Sequence, residues 1–150
     1  MTATKADTRH RYHHGNLRDV LLVEARRLLM EQGIEGLSLR RLAERADVSR
    51  SAPYHHFPDK HALLCSLALE GFEDLQQMLD GIDFDSQDLR TAMKQFVQFY
   101  LRFATEQSDI YDLMFGNTDL DMSLYPDLEE QSNAAFDGVL EALKDFMPDS

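Results

Sequence analysis

The chain is short of the residues and patterns that mark several large protein classes. It holds one cysteine, Cys65, so neither a disulfide framework nor a cysteine-rich metal site is possible within one chain. Cys65 sits among Leu63, Leu64 and Leu67 and reads as a small buried apolar residue. No apolar run approaches the ~18–20 residues that a membrane span needs. The N-terminus, MTATKADTRHRYHHG, has no apolar stretch of the kind a secretory leader carries, so a cytoplasmic protein away from membranes is expected. There is no phosphate-cradling glycine loop, no HExxH and no nucleophile–base–orienter set, and charged pairs such as Glu129-Glu130 fall on an ordinary helix face. Those absences argue against an enzyme and call for no cofactor. His13-His14 lack companions at ligand spacing, which argues against a metal site.

Positive charge is scarce too, but unevenly so. The formal net charge is −12 over 150 residues. Residues 1–60 hold 11 Lys+Arg against 8 Asp+Glu, while residues 61–150 hold 4 against 19. All 6 histidines fall within residues 1–61. An acidic total argues against a nucleic-acid partner, because neutralising phosphates needs Lys and Arg. The segregation reverses that argument: a basic, His-rich head precedes an acidic body, and a body that repels phosphates would turn the head toward them.

What is present is helical periodicity. Asn16 is a candidate N-cap for a helix with Leu17, Val20, Leu21, Ala25, Leu28 and Leu29 on one stripe, stopped at Gly33. Ser38 can cap a short helix with Leu39, Leu42, Ala43 and Ala46 on one face; Ala46-Asp47-Val48 then makes a turn, and Ser49 can cap a second short helix reaching about His56. Helix, tight turn, helix is the layout whose second helix enters the DNA major groove. From Asp59 a long helix is expected to bury Leu63, Leu64, Leu67, Ala68, Phe72, Leu75 and Leu79, until GIDFD breaks it at 81–85. Ser86 or Asp88 opens another to about Glu106, whose FVQFYLRFA run is apolar on most sides and so suggests the middle of a bundle. Ser108 caps DIYDLMF, Gly116 closes it, and residues 117–126 form a polar loop. A last helix carries Leu128, Ala135, Phe136, Val139, Leu140, Leu143 and Phe146. The fold class is all-α: a three-helix head with a helix-turn-helix, plus a helical-bundle C-terminal domain.

The head offers specific chemistry. Arg50, Ser51, Tyr54 and His55 are the polar candidates on the second short helix, opened by Ser49. Arg50 can donate two bonds to a guanine edge or one to a phosphate. Pro53 removes a backbone donor and stiffens the element; Phe57 reads as core. Lys60 opens the long helix, where free N–H groups and partial positive charge suit a phosphate. Ser38 and Arg40 begin the preceding helix and are candidate DNA-backbone contacts. Arg41 and Arg45 are either phosphate-facing or solvated. Arg9 and Arg11 lie on a basic arm that could enter a minor groove.

These residues carry a family resemblance. YHHGNLR, then ARRLLMEQGIEGLSLRRLAERADVS, then YHHFPDKHALL make the segment from Tyr12 to about Leu75 similar to the DNA-binding head of the TetR/AcrR family of bacterial transcriptional regulators. RFATEQSDIYDLMFG resembles the subgroup with a WHG-type C-terminal domain, which usually has a proline where this chain has Ser108. The resemblance implies a flexible arm at 1–14, a DNA-binding domain at 15–60 and an effector-binding and dimerisation domain at 61–150. It implies that Tyr54 and His55 meet phosphates and bases. It implies a ligand-responsive repressor that binds a double-stranded palindromic operator as a homodimer and is released by a small apolar or aromatic effector. The region holding Met93, Phe96, Tyr100, Phe103, Tyr111, Met114 and Phe115 corresponds to the family's small-molecule pocket. Family members usually run on for two more helices, which build a four-helix dimer interface. The end at Pro148-Asp149-Ser150 therefore leaves open a shortened form with its C-terminal part missing, a differently made dimer, or a helical interaction protein that heterodimerises or does not bind DNA alone. Exposed apolar area at Phe136, Val139 and Leu143 would favour the last.

Overall fold

The computed structural model describes residues 16–82, 88–116 and 120–144. Six α-helices and two short 3-10 turns make up these residues, and no strand occurs among them. The expected all-α class holds. The chain divides into two units, Met1–Pro58 and Asp59–Ser150. The arm with Arg9, Arg11, His13 and His14 lies outside the described residues, as do Ser86 and Phe146 and the side chains of Val139 and Leu143.

In the first unit, α1 spans Leu17–Gly36 and buries Leu21, Ala25, Leu28 and Leu29 of the expected stripe together with Leu22, while Leu17 and Val20 at its start are only half-buried. Asn16 precedes it without a side-chain cap bond; only its carbonyl is used, accepting from Val20 N–H at 3.2 Å. Gly33 stands at φ 67, ψ −175, a backbone open to glycine and strained for other residues, so the regular helix stops there and Ile34–Gly36 form a separate turn. The short helix α2, Leu39–Arg45, turns Leu39, Leu42 and Ala43 inward, and Ser38 Oγ caps it by accepting from Arg41 N–H at 3.2 Å.

The expected second short helix is not an α-helix. It is one 3-10 turn, Ala52–His55. The cause is Pro53, which has no N–H to give to the Ser49 carbonyl four residues back. Ala52 N–H takes that carbonyl instead at 3.0 Å, and Tyr54 N–H bonds Ser51 O at 3.2 Å. Ser49 accordingly makes no side-chain cap; its hydroxyl meets that of Ser51 at 3.3 Å.

In the second unit α3, Lys60–Asp80, is the centre. It buries every apolar position expected of it and also Ala62, Cys65 and Leu69. Asp59 caps it, Oδ1 accepting from Ala62 N–H at 2.8 Å. Around it pack α4 (Leu89–Glu106), α5 (Ser108–Phe115) and α6 (Pro126–Lys144). Asp88 caps α4 through Thr91, whose N–H and hydroxyl both donate to its carboxylate. Ser108 is already the first helical residue of α5, so its expected cap is replaced by Gln107, which makes no side-chain bond. Pro126 opens α6 rather than closing a loop, the position where a missing N–H costs nothing.

One core cluster joins Leu75, Leu79 and Ile82 to Ala92, with Phe96, Phe99, Tyr100 and Met114 against it. A second joins Leu69 and Phe72 to Ala135, with Met114 and Leu128. The helix expected mid-bundle, α4, is not central among the described residues. It buries only Ala92 and Phe103, because one face meets the rest of the unit while Leu89, Val97 and Leu101 on the other are exposed.

Candidate nucleic-acid interface

The turn between α2 and the 3-10 element sets the geometry of the head. Asp47 has φ 53, a left-handed conformation that costs most residues energy but that a short polar side chain tolerates. Around it Val48 N–H reaches Ala43 O at 3.1 Å and Asp47 N–H reaches Glu44 O at 3.4 Å. These are the two bonds of a Schellman C-cap, with aspartate in the place usually held by glycine. They close α2 and fix the direction in which Ser49 to His55 leave it.

Beyond this turn the apolar and polar residues separate cleanly. Pro53 and Phe57 are fully buried. Ser49, Arg50, Ser51, Tyr54 and His55 are all exposed, and Tyr54 keeps 54% of its surface open although it adjoins the buried Pro53. His56, which the sequence pattern did not single out, is exposed beside them. Arg18, also unflagged, holds its guanidinium 5.5 Å from the centre of the Phe57 ring. Arg40 is exposed and pairs with Glu44 at 3.3 Å, a surface pair of little energetic worth.

Arg41 and Arg45 are neither simply solvated nor unengaged. Arg41 Nη1 donates to Gln32 Oε1 at 2.5 Å and to Gly36 O at 3.1 Å. It ties the start of α2 to the end of α1. Arg45 forks onto the Glu31 carboxylate at 2.6 and 3.0 Å and reaches Glu24 at 3.4 Å. That two-toothed bond from Arg45 holds the Glu31 carboxyl below the usual carboxylate range and raises Arg45 in turn. Both arginines thus orient α2 against α1.

Lys60 is the first residue of α3, in the second unit, and is half-buried. The helix end it sits on is capped by Asp59.

The aromatic candidates of the second unit form a chain of rings. Phe96 stacks on Tyr100 at 5.9 Å, Tyr100 meets Tyr111 edge-on at 6.0 Å, Tyr111 tilts on Phe115 at 5.1 Å, and Phe115 meets Phe72 edge-on at 5.6 Å. The hydroxyls of Tyr100 and Tyr111 are 2.8 Å apart and bond each other. This bond, with burial, pushes the Tyr100 phenol up to about 12. Met114 packs on both core clusters and Phe103 is buried. Met93 is not with this group; it lies on the outward row of α4 and is exposed.

An all-α chain whose first unit presents a helix-turn-helix with a polar, exposed second element is of the class of helix-turn-helix DNA-binding proteins. Comparison with known proteins names the family. The profile of the bacterial regulatory proteins of the tetR family matches residues 21–67. Over 55 residues, 37% of this chain and 29% of the relative, the chain is 47% identical to the HTH-type transcriptional repressor AcnR of Corynebacterium efficiens. Over 51 residues, 34% of the chain and 23% of the relative, it is 49% identical to the class C tetracycline repressor protein of Escherichia coli. The aligned segment thus spans under a third of these curated relatives. The likeness of solved structures extends further. A Rhodococcus sp. RHA1 protein of unknown function shares 34% identity at a TM-score of 0.70, over 90% of this chain and 70% of that one. The TetR family transcriptional regulator PfmR of Thermus thermophilus shares 26% at 0.64, over 86% and 68%. The chain belongs to the TetR/AcrR family of transcriptional regulators. No helix among the described residues is long and apolar enough to cross a membrane.

Proposed function

We propose that the chain is a DNA-binding transcriptional regulator: a ligand-responsive repressor, without enzymatic activity, acting in the cytoplasm. It binds a palindromic operator as a homodimer and leaves it when a small apolar or aromatic effector binds. The observation that carries this reading is the Schellman turn at Asp47, from which the 3-10 element emerges with Arg50, Ser51, Tyr54 and His55 all exposed. The domains follow as an arm at 1–14, a DNA-binding domain at 15–60 and an effector and dimerisation domain at 61–150.

Each residue then has a role. Arg50 reads a base edge, with Tyr54 and His55 beside it on bases and phosphates. Ser38, Arg40, Ser49 and Ser51 meet the sugar–phosphate backbone, which sets register rather than sequence. Lys60 adds a cation at a helix N-terminus, a combination suited to a phosphate. Arg9 and Arg11 would follow the minor groove. Arg41 and Arg45, tied to α1, hold the reading element still and so limit the ordering cost of binding.

In the second unit the ring chain through Phe96, Tyr100, Tyr111 and Phe115, with Phe103 and Met114, supplies apolar wall with two hydroxyls. An effector that parts Tyr100 from Tyr111 could take their hydroxyls as partners. Coupling would pass along the chain connection at Pro58-Asp59 into α3. It could shift operator affinity only by the effector's preference for one state over the other.

Fluorescence anisotropy of a palindromic duplex from the chain's own upstream region tests the reading. Saturable, salt-sensitive binding that exceeds binding to a scrambled duplex is expected. Equal, weak binding to both would sink it and favour the interaction-protein alternative, for which exposed Phe136 and Leu140 on α6 are the supporting observation.

A further inference from the structure

Most arginines of the first unit are tied to the fold. Arg27, Arg40 and Arg45 each pair with a carboxylate of α1 or α2, Arg41 bonds Gln32 and Gly36, and Arg26 is half-buried. Arg18 and Arg50 differ. Both are exposed, and among the described residues neither guanidinium meets a carboxylate or a carbonyl. Arg50 precedes the 3-10 element. Arg18 stands beside the end of it, although it belongs to the first turn of α1.

What places Arg18 there is Phe57. The Phe57 N–H bonds Pro53 O at 2.9 Å and so closes the 3-10 element, and Phe57 is only 1% exposed. The Arg18 guanidinium rests 5.5 Å from the centre of that ring, within reach of a cation–π contact. The exposed His56 ring lies 6.4 Å from the same ring. The contact holds a long side chain at the edge of the polar surface, and it uses none of the five N–H donors in an ordinary hydrogen bond. Asp19, the next residue, is exposed and acidic, but neighbouring positions on a helix do not face each other.

The geometry points to Arg18 as a DNA-backbone contact: a forked donor, held ready by Phe57, that takes one phosphate at the opposite end of the 3-10 element from Arg50. A guanidinium fork matches two oxygens of one phosphate. A side chain already ordered loses less freedom on binding than a free one. Such a contact carries no sequence information; it fixes how the element lies against the duplex. The inference rests on the DNA-binding reading and adds to it a contact from α1.

The test uses the whole 150-residue chain, the palindromic duplex and a scrambled one, with anisotropy at several salt concentrations and thermal unfolding alongside. Arg18→Gln keeps a planar group for the Phe57 ring but removes the charge; Arg18→Lys keeps the charge but loses the fork. Arg18→Gln is expected to weaken binding to both duplexes by the same factor, about tenfold at low salt, the size of a lost charge-assisted hydrogen bond, and to lower the salt slope by about 0.9. Arg18→Lys is expected to keep the slope and recover part of the affinity. Duplexes that each carry one neutral methylphosphonate locate the contact: one position should weaken the wild type and leave Arg18→Gln unaffected.

An Arg18→Gln variant that lowers the thermal midpoint but keeps the wild-type salt slope overturns the inference and leaves Arg18 a purely structural partner of Phe57. A methylphosphonate series in which every position affects both proteins alike overturns it too. A wild type that binds both duplexes weakly and equally overturns the operator-binding reading and this inference with it. A wild type that prefers the palindrome while Arg18→Gln matches it at every salt concentration overturns this inference alone.

Discussion

Tyr125 donates its hydroxyl to Asp59 Oδ1 at 2.7 Å across 66 residues of sequence. The same oxygen accepts from Ala62 N–H and caps α3. His61 stacks on Tyr125 at 5.5 Å and accepts from Asp121 N–H through Nε2 at 3.0 Å. The segment before α6 is thereby fastened to the first turn of α3.

That fastening sets the cost of losing it. Asp59→Ala should destabilise the chain by about 1–2 kcal/mol, the usual range for a lost N-cap. Tyr125→Phe should cost less, since the cap bond to Ala62 remains. Urea unfolding of the three proteins gives the order directly; an equal loss from both would place the energy in the cross-chain bond instead.

The same carboxylate gives a pH dependence. The Ala62 N–H, and then the Tyr125 hydroxyl, hold the Asp59 carboxyl below the usual carboxylate range. A lowered folded-state pKa contributes stability that is present above the unfolded value, about 3.9, and is lost as pH falls through the folded value. The gap in stability between wild type and Asp59→Asn should therefore be full at about pH 6 and shrink below about pH 4. A gap that stayed constant down to about pH 2 would show that the charge contributes nothing.

Asp47 carries the left-handed position of the turn at φ 53. A β-branched residue there lacks both glycine's freedom and aspartate's local hydrogen bonding, so Asp47→Val should destabilise by about 1–2 kcal/mol. Asp47→Gly should be neutral or slightly stabilising. Thermal unfolding checks both, and operator affinity should fall with Asp47→Val if the turn aims the reading element.

At Gly71 of α3, side chains of α5 come close. A Cβ there would stand 2.5 Å from Met114 Sδ and 2.6 Å from Ile110 Cγ2. The methionine can swing away, but the β-branched isoleucine methyl has little freedom. Alanine favours a helix over glycine by about 1 kcal/mol, while overpacking costs about 1–3 kcal/mol. Gly71→Ala should therefore be neutral to about 2 kcal/mol destabilising, and Gly71→Val clearly worse. Thermal midpoints of both variants measure it; an unchanged midpoint for Gly71→Val would mean the two helices part freely.

Local signals were legible in the sequence. The caps at Ser38, Asp59 and Asp88 and the inward positions Leu63 to Leu79 depend on neighbours within a turn or two, and they stand where periodicity puts them. Relations between distant residues were not. The bonds from Arg45 to Glu31 and from Tyr125 to Asp59 join positions that no local pattern connects. The run FVQFYLRFA suggested a central helix because hydropathy counts apolar residues without saying which face finds a neighbour. Pro53 was read as stiffening a helix, whereas its missing N–H turned that helix into a single 3-10 turn. In the candidate site, the separation of buried Pro53 and Phe57 from exposed Arg50, Tyr54 and His55 was partly visible. The holding roles of Arg41 and Arg45 were not.

In the proposed function the sharpest division of labour is between Arg50 and Lys60. Arg50 is exposed on the turn leading into the 3-10 element, where a forked donor can match a guanine edge. Lys60 is the first residue of α3, where a cation adds to the helix end. A base contact specifies sequence, whereas a phosphate contact adds affinity that every sequence shares. Arg50→Ala should therefore cost about 1–3 kcal/mol on the operator and much less on a scrambled duplex. Lys60→Ala should weaken both alike and reduce the salt slope by about 1. Anisotropy titrations of each variant against both duplexes, at several salt concentrations, separate the two effects. Equal losses on both duplexes for Arg50→Ala would make it a backbone contact and move the search for the base-reading residue to Tyr54 and His55.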